Sequence, residues 1–162
     1  MPKKDLKSKR PGLSLKIPPA AQLTIFALMS WVLSAYYPVF SIQHRALDVF
    51  AGLLALTGLS VIGLSIAAFI RARTTVNPVM PEAAQELVIS GLYRVSRNPM
   101  YLGMLLLLLA LAAFLGDIVT LVPVILFVVF ITEFQIKSEE KALREKFGTQ
   151  YDAYAKRVRR WI

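Results

Sequence analysis

Two short polar clusters stand where apolar stretches of this chain begin and end. Arg97-Asn98-Pro99-Met100-Tyr101 leads into the apolar residues 101–115, and Glu139-Glu140 follow the apolar residues 118–136. Carboxylates can hold a cation or a pair of hydroxyls, and an arginine or the free N–H groups of a helix N-terminus can hold an anion. Charge this close to hydrocarbon is costly unless it binds something, so the arrangement reads as a ligand site at the edge of a membrane. No residue here stands out as a general base. His44 is the single histidine and cysteine is absent, so the sequence offers no metal cluster and no disulfide.

The elements that position these clusters follow from composition. With 162 residues, 56% hydrophobic content and 18% charge, the chain is too apolar for a soluble domain and too short for a second one. An all-α polytopic membrane protein is expected, with about four transmembrane helices at 20–40, 47–70, 101–115 and 118–136 and a C-terminal amphipathic helix. Each span approaches the length needed to cross ~30 Å of hydrocarbon, and the third is short. Gly116-Asp117 is the only break between spans three and four, which makes them a tight antiparallel hairpin, and Pro123 is expected to kink the fourth. The single membrane domain divides into a basic segment (1–19), two spans (20–70), a connector (71–100), the hairpin (101–136) and a tail (137–162).

Lysine and arginine alternate between rich and poor segments. They crowd before span one, in the second loop and in the tail, while the first loop carries only Arg45 and the hairpin turn carries none. The positive-inside rule places both termini and the connector in the cytoplasm. The long first apolar run, with no A-x-A site after it, argues against a cleaved leader. The net charge of +9 sits beside apolar spans, so membrane lipids rather than nucleic acid are the expected partner. Topology then brings Arg97 to Tyr101 opposite Gln135 to Glu140.

Several residues admit two readings. Asn98 and Pro99 suit the N-cap and first position of a helix, serving either as a plain cap or as an anion site. Glu133 is an unusual acid for an apolar span, and either attracts a cationic acceptor or pairs with Lys137 at i+4. Thr149, with Asp152 after it, resembles a helix N-cap. Tyr151, Tyr154, Val158 and Trp161 form an apolar stripe for a helix that lies on the leaflet or folds under the bundle.

Taken together, Gln85-Glu86-Leu87-Val88-Ile89-Ser90-Gly91-Leu92-Tyr93, Arg97-Asn98-Pro99-Met100-Tyr101-Leu102-Gly103 and Glu139-Glu140 with Leu143, Phe147, Gly148, Tyr151, Tyr154 and Val158 resemble the isoprenylcysteine carboxyl methyltransferase family. Asn98 before the proline also resembles the related phospholipid methyltransferases, because the carboxyl methyltransferases usually have histidine there. The resemblance covers about residues 71–162. It implies an integral-membrane methyltransferase that uses S-adenosylmethionine and releases S-adenosylhomocysteine on the cytoplasmic side. The family's cofactor contacts fall on Gln85, Glu86, Leu87, Val88, Tyr93, Asn98, Pro99, Met100, Tyr101 and Glu139, with Glu140 a partner; Arg97 is a candidate for the cofactor carboxylate. Gly91 and Gly103 are expected to allow a turn and a close helix approach.

On the substrate side the family usually has an arginine one turn before the acid pair, and Gln135 stands here instead. A prenylcysteine carboxylate therefore lacks an obvious charge partner, and with Glu133 nearby a lipid amine is the first expectation for the methyl acceptor. Carboxyl methylation of a prenylcysteine-like compound and small-thiol methylation remain alternatives. So do an NADPH-dependent membrane reductase, which the similar C-terminal region of sterol reductases suggests, and a non-catalytic lipid-binding scaffold.

Overall fold

The computed structural model describes residues 17–72 and 86–162. Every long element is an α-helix: α1 (Pro19–Tyr36), α2 (Arg45–Arg71), α3 (Pro99–Leu115), α4 (Leu121–Phe130), α5 (Lys137–Phe147) and α6 (Thr149–Arg157). A 3-10 turn at Gly91–Arg94 precedes α3, and a second at Ile118–Thr120 leads into α4. The prediction of an all-α membrane protein therefore holds. Among the described residues three stretches are long and apolar enough to cross a bilayer: Pro19–Tyr36, Arg45–Arg71 and the continuous Ile118–Phe147. Pro99–Leu115 is apolar but shorter, as its sequence suggested.

The last of these stretches is helical for 30 residues, about 45 Å at 1.5 Å per residue. That exceeds the ~30 Å of hydrocarbon, so its polar last turns reach beyond it. Between α4 and α5 the helix passes through a π segment, Ile131–Ile136, which the sequence reading did not include. Pro123 falls in the first turn of α4, where an N–H has little use. The widened π turn instead buries Ile131, Gln135 and Ile136 together on the inner face.

Small residues and aromatics set the packing. A Cβ on Gly103 would lie 2.6 Å from Ile62 Cγ1 and 2.8 Å from the Gly58 carbonyl oxygen, so α2 and α3 touch backbone to backbone at this glycine pair. This is the close approach that the sequence suggested for Gly103. On the other side Phe26 of α1 packs edge-on against Phe127, with ring centroids 5.6 Å apart, and also meets Phe130. The core runs through Tyr101, Met104, Leu108, Val124, Phe127 and Ile131.

Asp117 ties the hairpin turn to the loop between α1 and α2. Gly116 ends α3 with φ +65°, and Asp117 accepts hydrogen bonds from Ser41 Oγ at 2.5 Å, Val119 N at 3.0 Å and Val39 N at 3.3 Å. Backbone bonds from Ile42 N to Gly116 O and from Ile118 N to Phe40 O complete a short antiparallel clasp. The clasp thereby satisfies five donors, Ser41 Oγ and the backbone N–H groups of Val39, Ile42, Ile118 and Val119.

Candidate functional site: an acid pair held between the hairpin and the C-terminus

The approach to α3 is shaped by Gly91, whose φ of +59° starts the 3-10 turn. That turn buries Tyr93 edge-on against Phe69, with centroids 5.4 Å apart, and Val88 packs in the same small cluster. Tyr154 of α6 reaches this turn and donates its hydroxyl to Tyr93 O at 2.8 Å. Burial holds the Tyr154 hydroxyl above the ordinary phenol range and pushes Tyr151 up to about 12, so both stay protonated. The apolar stripe of the tail thus folds under the bundle, one of the two readings its sequence allowed. Gly148 rather than Thr149 occupies the N-cap position of α6, because Thr149 already has helical geometry.

Beyond α6 the chain returns alongside the start of α3. Arg97 N donates to Arg159 O at 3.0 Å, and Ser96 and Arg159 form a parallel bridge. Asn98 stands at the N-cap position, yet its side chain makes no cap bond; Nδ2 donates to Arg160 O at 3.0 Å instead. The amide stitches two distant segments together, which neither sequence reading of Asn98 contained. Trp161 completes the return by donating Nε1 to Thr132 Oγ1 at 3.2 Å, against the π segment.

Within this frame the two glutamates take different partners. Glu140 is 9% exposed and sits in an arginine clamp. Arg160 Nε reaches Oε1 at 3.0 Å and Nη2 reaches Oε2 at 2.7 Å, while Arg97 Nη2 meets Oε1 at 3.0 Å. Arg97 Nε is buried without a partner among the described residues. Glu139, one residue earlier, has only neutral partners among the described residues: Tyr101 donates its hydroxyl to Oε1 at 2.5 Å and Gln135 donates Nε2 to the same oxygen at 2.6 Å. Tyr93 lies close enough for its hydroxyl to feel that charge.

The structure therefore joins Arg97 to Glu140, and Tyr101 to Gln135 and Glu139, as the hairpin topology anticipated. Pro99 is buried at the first position of α3, and Met100 beside it is partly exposed. Glu86 is exposed and Leu87 partly buried; Gln85 lies outside the described residues. Glu133 takes the second of its two readings, with both carboxylate oxygens 2.6 Å from Lys137 Nζ on an exposed face. Two recesses of about 440 Å³ open at the other end of the bundle, around His44 and around Phe50, and neither is lined by the acid pair.

Two participants were not anticipated. Arg160 looked like one more cation on a basic tail, and only the return of the chain brings it to Glu140. Gln22 of α1 donates Nε2 to Gln135 Oε1 at 3.3 Å; a buried glutamine in an apolar span was the available signal.

Comparison with known proteins fixes the family. The phospholipid methyltransferase family model matches residues 47–150. The chain belongs to the phospholipid methyltransferase family. That match takes in α2, the hairpin and both glutamates, and it agrees with the resemblance seen in the sequence. An uncharacterized protein from Haemophilus influenzae is 46% identical over 63 residues, covering 39% of this chain and all of the relative. No solved structure matches the chain. As a member of this family the chain is read as a membrane methyltransferase, and the family match lends nothing to the reductase reading.

The clamp predicts unequal roles for acids only a turn apart. Glu140→Gln leaves Arg97 and Arg160 without a counter-charge in a largely buried setting and should cost roughly 3 kcal/mol of stability. Glu145→Gln, whose side chain is 71% exposed beside Lys141, should leave stability unchanged. Chemical denaturation of the detergent-solubilised protein checks this, and equal effects at the two positions would contradict it.

Proposed function

We propose that the protein is an S-adenosylmethionine-dependent methyltransferase that modifies a lipid amine at the cytoplasmic face of a membrane. The observation that carries this reading is the pairing of unmet valences at the site. Among the described residues, Glu139 has neutral partners only and a buried Arg97 Nε has none. The amino-acid end of S-adenosylmethionine carries an ammonium and a carboxylate, so the residues present fit it. Glu139 would hold the ammonium or the ribose hydroxyls, and Arg97 the carboxylate, with Glu140 fixing the guanidinium. Leu87, Val88, Tyr93, Pro99, Met100 and Tyr101 would wall the adenosine, with Gln85 and Glu86 at its edge.

The bound cofactor supplies a methyl group already activated on a sulfonium. What remains for the protein is alignment and exclusion of water. Tyr101 and Gln135 fix the Glu139 carboxylate, and the returning C-terminus covers the start of α3. Gln135 offers an amide where an arginine would favour an anionic acceptor, which supports a lipid amine over a prenylcysteine carboxylate or a small thiol. Glu133 adds little to that preference, since Lys137 neutralises it.

Radiolabelled methyl transfer compares a phosphatidylethanolamine-type lipid, N-acetyl farnesylcysteine and a small thiol under one set of detergent conditions. The lipid amine should be methylated at least about tenfold faster, a difference of ~1.4 kcal/mol. Efficient, selective methylation of the farnesylcysteine would overturn the acceptor assignment.

The cytoplasmic placement rests on the lysine and arginine distribution. Cysteine mapping in intact cells tests it, since the chain has no cysteine of its own. Because Asp117 is buried in its clasp, the exposed neighbour Ile118 is the better outside position. Ile118→Cys should be labelled by an impermeant maleimide and Lys156→Cys only after permeabilisation; the reverse pattern would invert the topology.

A further inference from the structure

The buried amides of α1 and the π segment form a one-way hydrogen-bond chain that ends in an open acceptor. It runs from the Ile17 carbonyl to Glu139. The Ile17 carbonyl can only accept, so Gln22 turns Nε2 toward it and toward Gln135 Oε1, and Gln135 turns its own Nε2 to Glu139 at 2.6 Å. Gln22 answers with Nε2 at 3.3 Å, and the same nitrogen donates to Ile17 O at 2.9 Å. Flipping the Gln22 amide would set its oxygen against two other acceptors, so the orientation is determined. Gln22 Oε1 is consequently left buried with no donor among the described residues, in a residue that is 3% exposed. A buried acceptor left without a donor is costly, and no described residue uses this one.

Resting on the reading of a lipid-amine methyltransferase, we propose that Gln22 Oε1 receives an N–H of the acceptor's headgroup amine and thereby sets which amines the site methylates. Gln22 lies in the first turn of α1, at the same end of the bundle as Glu139, where a headgroup rather than an acyl chain would reach it. The bond orients the nitrogen lone pair toward the methyl group without removing a proton. In the transfer the nitrogen forms the new N–C bond and the S–C bond breaks with its electron pair remaining on sulfur; after the first two methylations the resulting ammonium can lose a proton to water, and the third leaves a quaternary ammonium. The reacting neutral forms of a primary, a monomethyl and a dimethyl amine carry two, one and no N–H. Gln22 therefore assists the first two methylations and contributes nothing to the third.

The test compares the unsubstituted protein with Gln22→Met, which keeps length and burial but removes the acceptor. Detergent-dispersed phosphatidylethanolamine and its monomethyl and dimethyl derivatives are assayed separately, and S-adenosylhomocysteine affinity is measured by calorimetry on both proteins. The expected result is a tenfold or greater fall in kcat/KM for the primary and monomethyl amines, with the dimethyl acceptor and S-adenosylhomocysteine affinity within twofold. An equal fall for all three acceptors, no fall at all, or loss of S-adenosylhomocysteine binding would overturn the role of Gln22. An unsubstituted protein that binds S-adenosylhomocysteine yet methylates none of the three would overturn the lipid-amine reading itself, and this proposal with it.

Discussion

Two adjacent carboxylates at the end of an apolar helix are the constraint around which the rest of this molecule is arranged. Desolvating one carboxylate is expensive, and placing a second beside it adds repulsion. The structure separates the problem in two. Glu140 turns into a clamp of Arg97 and Arg160 with three contacts of 2.7–3.0 Å, so its charge is balanced within the protein. Glu139 turns to Tyr101 and Gln135, which hydrogen-bond its charge without cancelling it. A site that keeps one acid charge unbalanced is suited to a ligand that brings a positive one.

Each supporting element can be traced to that division. Arg160 reaches Glu140 only because the chain beyond α6 runs back beside Ser96 and Arg97, held by backbone bonds and by the Asn98 amide. Trp161 anchors the same return on Thr132. The π segment sits where Gln135 must be buried one turn ahead of Glu139 while Glu133 stays on the outside with Lys137. At the far end the Asp117 clasp closes the loops, and the Gly58–Gly103 contact locks α3 against α2, so the hairpin that carries both halves of the site is fixed along its length.

Much of this was legible in the sequence where short-range physics governs. Apolar length gave the spans, Gly116-Asp117 the hairpin, and the hairpin in turn the facing of Arg97–Tyr101 and Gln135–Glu140, within which the structure pairs Tyr101 with Glu139 and Arg97 with Glu140. Gly91 and Gly103 announced a positive φ and a close approach. What stayed hidden depends on long-range return. No spacing rule ties Arg160 to Glu140, or Asn98 to the carbonyl of a residue 62 positions later. Pro123 drew attention as a kink because its position within the helix was unknown; the irregularity lies eight residues on, in a stretch whose composition does not distinguish π from α. Gln22 was passed over for a similar reason, since its partner is on the fourth apolar stretch.

The central claim is that Glu139 is the acid that holds the cofactor's cationic end. It is tested most directly by calorimetric titration of S-adenosylhomocysteine, and of NADPH in parallel, into the purified protein and into Glu139→Gln. Saturable S-adenosylhomocysteine binding and no NADPH binding are expected, with a loss of affinity on substitution of about 10- to 150-fold, the ~1.5–3 kcal/mol of a hydrogen bond to a charged group. Binding of NADPH alone, or an S-adenosylhomocysteine affinity that Glu139→Gln leaves unchanged, would contradict it.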